Sequence, residues 1–205
     1  EAGAAVDHAA ANGATALMLA VQNNHEQCAL ALIEAKADLE KQTAKGNTAL
    51  ILACQNGHEQ CARALIEAGA QLEMKISDGS TALILACQNG HDVCAKALLD
   101  KGADANAKKN DGFSVLMVAC QFGHEQCALA LLEAGAAVDT QGPQEWTALM
   151  FAARGGHEQC ALALIEAGAD VEKPNDNGWT PLMKACFNGH EQCALALLKA
   201  GASVG

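Results

Sequence analysis

The sequence predicts an all-α chain, a solenoid of short helix pairs, and three observations carry that prediction. The stretch from Gly57 to Ala70 returns nearly unchanged at 123–136, 156–169 and 189–202, and in looser form at 24–37 and 90–103. Its histidines, His25, His58, His91, His124, His157 and His190, stand 33 residues apart. Within each copy the apolar residues fall at helical spacing. So strict a period marks one supersecondary unit copied in tandem, whose copies bury a continuous core together.

The unit from Thr43 to Lys75 shows how each element arises. Gly46 supplies a turn, and Thr48 stands where a helix N-cap belongs, its hydroxyl placed to accept from the first free amides. Leu50, Ala53 and Cys54 follow at i, i+3 and i+4, one face of a short helix. Asn56-Gly57 ends it. A second helix opens with Glu59-Gln60, which suits the positive end of the helix dipole. Its expected buried face is Cys61, Ala64, Leu65 and Ala68, and Gly69 is its left-handed C-cap. A polar, extended stretch leads to the next turn at Gly79. Both helices are too short to be stable alone, so each must pack against its neighbour's copy.

Composition narrows the function classes. The formal net charge of −11 sets the chain against phosphate, so nucleic acid and anionic membranes are not expected partners. No apolar run approaches the roughly 20 residues that span a bilayer. No signal sequence is visible. Ten cysteines in a chain of 205 residues do not make a disulfide mini-scaffold, and the expectation is a reduced, intracellular protein.

Thr180-Pro181-Leu182, Gly189-His190 and Leu197-Leu198 followed by Gly201-Ala202, with their counterparts every 33 residues, resemble the ankyrin repeat. The resemblance covers the whole chain. It implies helix-turn-helix units joined by β-hairpin-like fingers, with fingers and first helices lining a concave face. One position departs from the family pattern. Its usual His after Pro-Leu is Met18, Ile51, Ile84, Met117, Met150 or Met183 here, which exchanges a polar bond for apolar packing.

The expected units are 10–42, 43–75, 76–108, 109–141, 142–174 and 175–205, one array over 1–205. Residues 1–9 read as the tail of a preceding unit, since Glu1–Asp7 matches Glu67–Glu73. Gly205 stops inside the last unit, and neither end shows a polar cap. An excerpt from a longer array, within a larger multidomain chain, is expected. Two units are irregular. The first carries Asn24 and Lys36 where most sisters have Gly, and a left-handed Lys costs about 1–2 kcal/mol. The fifth has Glu145 for the turn glycine and adds Pro143, so its finger is expected to differ.

Cys54, His58 and Cys61 form a C-x3-H-x2-C set that recurs in three other units, a zinc-like donor set. Val21 and Ala153 fill the first cysteine slot elsewhere, which makes that slot a small apolar pocket and argues for no metal. Disulfides between copies of one slot fail, because layers roughly 8–10 Å apart exceed the bridging distance. The repeated histidines are read as backbone-bonding residues at the turn between helices, against a pH-sensing ladder. No nucleophile–base pair or phosphate-cradling loop stands out, so neither an enzyme nor a cofactor is expected.

The aromatic residues are distributed unevenly. In the family, partner contacts come from finger positions just before the capping Thr and from the end of the first helix. Units one to three hold Ala14, Gln22 and Asn23; Asn47, Gln55 and Asn56; Ser80, Gln88 and Asn89 there. Units four to six hold Phe113, Gln121 and Phe122; Trp146 and Arg154; Trp179 and Phe187. Phe151 reads as core. The expected function is therefore binding of a partner protein or peptide on the concave face, anchored by Phe113, Phe122, Trp146, Trp179 and Phe187 with Arg154 and Asp111 for polar steering. Trp146→Ala or Phe187→Ala is expected to weaken binding with little loss of fold. The other side of the ledger is that each ring braces its own finger. Two further readings stand beside it: a mechanical spacer in a longer array, and a methyl-lysine peptide reader with Trp146, Glu145 and Trp179 in a cage. Leu98, Asp104, Ala105 and Asn106 also resemble the spacing that asparaginyl hydroxylases recognise, against which Asn106 reads as a turn-stabilising residue.

Overall fold

The computed structural model describes residues 6–204. Among them are twelve α-helices and two isolated antiparallel bridges, Ala9 with Thr15 and Lys108 with Ser114, but no longer strand. The residues that carry the match of 1–5 to 67–71, and Gly205, lie outside the described part. The chain forms two compact units, 1–104 and 105–205.

The first unit holds α1 (Ala16–Gln22), α2 (Glu26–Glu34), α3 (Ala49–Asn56), α4 (Glu59–Glu67), α5 (Ala82–Asn89) and α6 (Asp92–Asp100). Thr15, Thr48 and Thr81 cap the odd-numbered helices, each hydroxyl accepting from the amide three residues on at 3.3–3.4 Å. Helix α3 packs against both α1 and α5, and α4 against α2 and α6. Being flanked on both sides, α3 buries every residue from Ala49 to Cys54 rather than the single face expected. The even-numbered helices do keep one face. In α4 it comprises Cys61, Ala62, Leu65 and Ile66, whereas Ala64 is half-buried and Ala68 exposed, so the stripe is rotated from the expected one. Ile51 and Ile84, in the slot where the family carries His, are fully buried, each worth about 1.5–3 kcal/mol of transfer free energy. Asn24 and Lys36 do adopt positive φ, 55° and 62°, and α1 is shorter than α3 and α5 at its C-terminus.

The second unit holds α7 (Val115–Phe122), α8 (Glu125–Glu133), α9 (Ala148–Gly155), α10 (Glu158–Glu166), α11 (Pro181–Asn188) and α12 (Glu191–Lys199). Ser114, Thr147 and Thr180 repeat the capping bond at 3.3 Å. Helix α9 lies between α7 and α11, and α10 between α8 and α12. Each helix pair is preceded by a finger closed by two backbone bonds. Lys109 N–H donates to Phe113 O and Gly112 N–H to Lys109 O in one, and Asn175 N–H to Trp179 O and Gly178 N–H to Asn175 O in another. The fifth repeat keeps the equivalent bonds, Gly142 N–H to Trp146 O and Glu145 N–H to Gly142 O. Its tip differs as expected: Pro143–Glu145 makes a 3-10 turn with Gln144 and Glu145 at φ 56° and 57°.

A side-chain ladder ties successive repeats at their trailing ends. Asp7, Glu40 and Glu73 accept from the backbone amides of Asp38, Gln71 and Asp104 in the first unit. Asn106, Asp139 and Glu172 accept from Ala137, Asp170 and Ser203 in the second. Asn106 Oδ1 thus makes at 2.8 Å the bond its acidic counterparts make, which is a structural role for that side chain.

Candidate functional site

In the second unit the helices α7, α9 and α11 stand side by side with their fingers, and the capping bonds fix where each finger meets its helix. The residue before each cap lies against the first-helix layer. That slot is more closed than the sequence reading supposes. Ala14, Ser80 and Trp146 are buried in it, while Asn47, Phe113 and Trp179 are half-buried. Trp146, at 9% exposure, therefore braces its finger before it offers any surface.

A row of ring contacts runs across this face. Phe113, from the fourth finger, packs on Phe151 of α9 with centroids 5.3 Å apart, and Trp146 packs on the same ring at 4.8 Å. Phe151 is buried, as expected for core, and it is also the link between the two fingers. Beyond Trp146 comes a cation. Lys184 Nζ lies 4.5 Å from the Trp146 ring centroid and 4.1 Å from that of Trp179. Trp179 then meets Phe187 edge-on, 5.4 Å away at 88°. Phe187 is 76% exposed and Phe122 49% exposed. Phe122 lies outside the row and stacks near His124, with centroids 6.3 Å apart.

Two positive charges converge on Trp146, since Arg154 Cζ also lies 5.5 Å from its ring centroid. Among the described residues neither Arg154 nor Lys184 is ion-paired with a carboxylate. Burial pulls the Lys184 ammonium below its usual value, and the charge of Arg154 pushes the same way. The negative faces of the two indoles act against both effects. A hollow of about 190 Å³ lies beside Arg154, lined by Gln121, Phe151, Arg154 and Gly155.

The Arg154 backbone is itself held. Its carbonyl accepts from Nε2 of His190 at 2.9 Å, a clasp from the sixth repeat back to the fifth. His157 makes the same bond to Gln121 O, and His58 to Gln22 O, both at 3.2 Å. These histidines thus bond backbone where one helix gives way to the next, as expected, and they do so in the preceding repeat. A carbonyl only accepts, so Nε2 carries the proton.

Of the expected anchors, Phe113, Trp146, Trp179 and Phe187 join one row, Arg154 flanks it and Phe122 stands apart. Asp111 is taken up in its own finger, accepting from Phe113 N–H at 3.2 Å and lying 4.0 Å from Lys109 Nζ. Sequence reasoning missed Lys184. The signal was a break in pattern, because its slot holds Leu19, Leu52, Leu85, Val118 and Phe151 in the other repeats.

The thiols also separate from the zinc-like pattern. Cys54 hydrogen-bonds to Cys94 of the next repeat, and that bond together with burial holds its thiol well above the usual value. Cys120 and Cys160 repeat the arrangement. The His58 ring turns to Gln22 O and the Cys61 thiol to Asn24 Oδ1, both in the preceding repeat, whereas Cys54 meets the next one. Among the described residues no group of three His, Cys, Asp or Glu side chains is placed to hold a metal ion. No helix among them is long and apolar enough to cross a membrane.

Paired short helices, hairpin-like fingers and a 33-residue register define a tandem helical-repeat protein. A family model described as ankyrin repeats (3 copies) matches residues 2–76, 71–142 and 135–205, and the chain belongs to the ankyrin repeat family. Comparison with curated proteins finds no match. Ankyrin repeats are in general protein–protein interaction modules, and the family is typically non-enzymatic.

Proposed function

We propose that this chain is an intracellular protein-binding module whose partner, a protein or peptide, docks on the face formed by the fingers and first helices of repeats four to six. The observation that carries this reading is the exposure of Phe187 and Phe122 beside a row of rings that is already packed. A rigid platform loses little entropy on binding, and exposed aromatics with Arg are the residues that dominate interface energetics. Trp179 and Phe187 are the anchors with surface to offer, with Phe122 at the edge. Phe113 and Trp146 support them from beneath, and Arg154 steers.

The test is the affinity of a verified partner for Phe187→Ala and Trp179→Ala, against Gln55→Ala in the second repeat as control. The first two should each weaken binding by more than about 1 kcal/mol, roughly fivefold in Kd, with the helical signal retained. Gln55→Ala should leave it unchanged. Equal affinities throughout would sink the proposal and favour a mechanical spacer, which needs no anchor.

A further inference from the structure

Resting on that docking face, we infer that its partner brings an acidic side chain: an Asp or Glu carboxylate, flanked by bulky apolar residues, that sits between Lys184 and Arg154. The chain as a whole is strongly acidic, at −11, yet these two cations share one indole. Lys184 Nζ and Arg154 Cζ are 4.5 Å and 5.5 Å from the Trp146 centroid, and neither has a carboxylate partner among the described residues.

Two like charges held together oppose each other, and an incoming carboxylate relieves that repulsion as well as forming its own charge-assisted bonds. The arginine fork suits a carboxylate in bidentate geometry. The lysine is fixed between two rings, so less of its rotamer freedom remains to be lost. Phe187, in edge contact with Trp179, offers the apolar surface for a flanking residue. A long polyanion is a poor fit, because two local charges do not offset repulsion from the rest of an acidic chain. One or two carboxylates in an otherwise uncharged segment fit the pattern.

The probe is a displayed library of random short peptides selected on the full chain, followed by synthetic copies of the recovered sequences. Recovered peptides should be enriched in Asp or Glu next to large apolar residues. Their amide twins, Asp→Asn or Glu→Gln, should bind at least roughly tenfold more weakly. Lys184→Gln and Arg154→Gln should erase that difference, while Lys184→Arg should restore it if the glutamine variant disturbs the indoles. Affinity should fall between about 50 and about 500 mM salt.

If recovered peptides depend on Phe187 and Trp179 but show no acidic enrichment, the carboxylate inference fails and the docking face stands. Enrichment in Lys, methylated or not, would overturn it in the same way. Tighter binding of an oligonucleotide or anionic vesicle than of any peptide would also overturn it, as would self-association abolished by Phe187→Ala. Recovery of no binder at about 100 μM, or of binders indifferent to Phe187 and Trp179, would overturn both readings.

Discussion

Two glycines of the fifth repeat allow the clasp between repeats to be weighed. Gly156 and Gly168 have φ of +71° and +85°, so alanine is strained at either. The strain is about 1–2 kcal/mol, reduced by about 0.4–1 kcal/mol because alanine also restricts the unfolded chain. Gly168→Ala meets nothing within 4 Å and should cost the difference, about 1 kcal/mol. Gly156→Ala places its Cβ 2.6 Å from Nδ1 of His190, so the ring must turn and release the Arg154 carbonyl. That bond is solvent-exposed, and its loss adds about 0.5–1.5 kcal/mol, for a total near 2 kcal/mol. Urea unfolding followed by helical circular dichroism measures both. The decisive step is to repeat the pair in a His190→Ala background. There the two costs should agree to within about 0.5 kcal/mol, because the ring that distinguished them is gone. Equal costs in the parent chain, or a difference that survives without His190, would refute the clasp.

Trp146→Ala should lower stability by about 2–4 kcal/mol, since it removes a buried ring from Phe151, whereas Phe187→Ala should change stability by less than about 0.5 kcal/mol; thermal and urea denaturation compare them. This corrects the expectation that both substitutions spare the fold. Ser80 Oγ is buried with no hydrogen-bond partner among the described residues, so Ser80→Ala should be neutral or stabilising by up to about 1 kcal/mol in the same assay. A thiol reagent at neutral pH should modify the two exposed cysteines, Cys28 and Cys186, quickly. Cys54 and Cys120 should react last, because the bond to a neighbouring thiol and burial hold each as the unreactive protonated form.

The repeat, its helix pairs and its caps were legible because they depend on local chemistry stated in every copy. Thr48 caps α3 by accepting from the amide of Ile51, three residues on, and Asn24 and Lys36 sit in left-handed conformations that their position in the pattern announces. Burial was harder to read, since it depends on what lies on either side. Ala49–Cys54 reads as a helix with one apolar face, and only packing between α1 and α5 closes it on all sides. The site was legible in composition, not in arrangement. Periodicity places Trp146 and Trp179 one repeat apart. They meet through Lys184, whose side chain reaches between them. The thiol contact between Cys54 and Cys94 was hidden likewise, because it joins two different slots of adjacent repeats, and copies of a single slot were the pairs considered.

The same lysine bears on the reading of this face as a methyl-lysine cage. A cage needs ring faces open to an incoming cation. Here the face between Trp146 and Trp179 already holds an ammonium, tethered to α11 and therefore present at high effective concentration. A methylated lysine would have to displace it and approach Arg154 as well, against the repulsion of both charges. Removing Lys184 changes the sign of that argument. If the cage were the function, Lys184→Ala should strengthen binding of a trimethyl-lysine peptide measured by fluorescence anisotropy. If the anionic reading holds, the same variant gains nothing for that peptide and loses affinity for acidic ones.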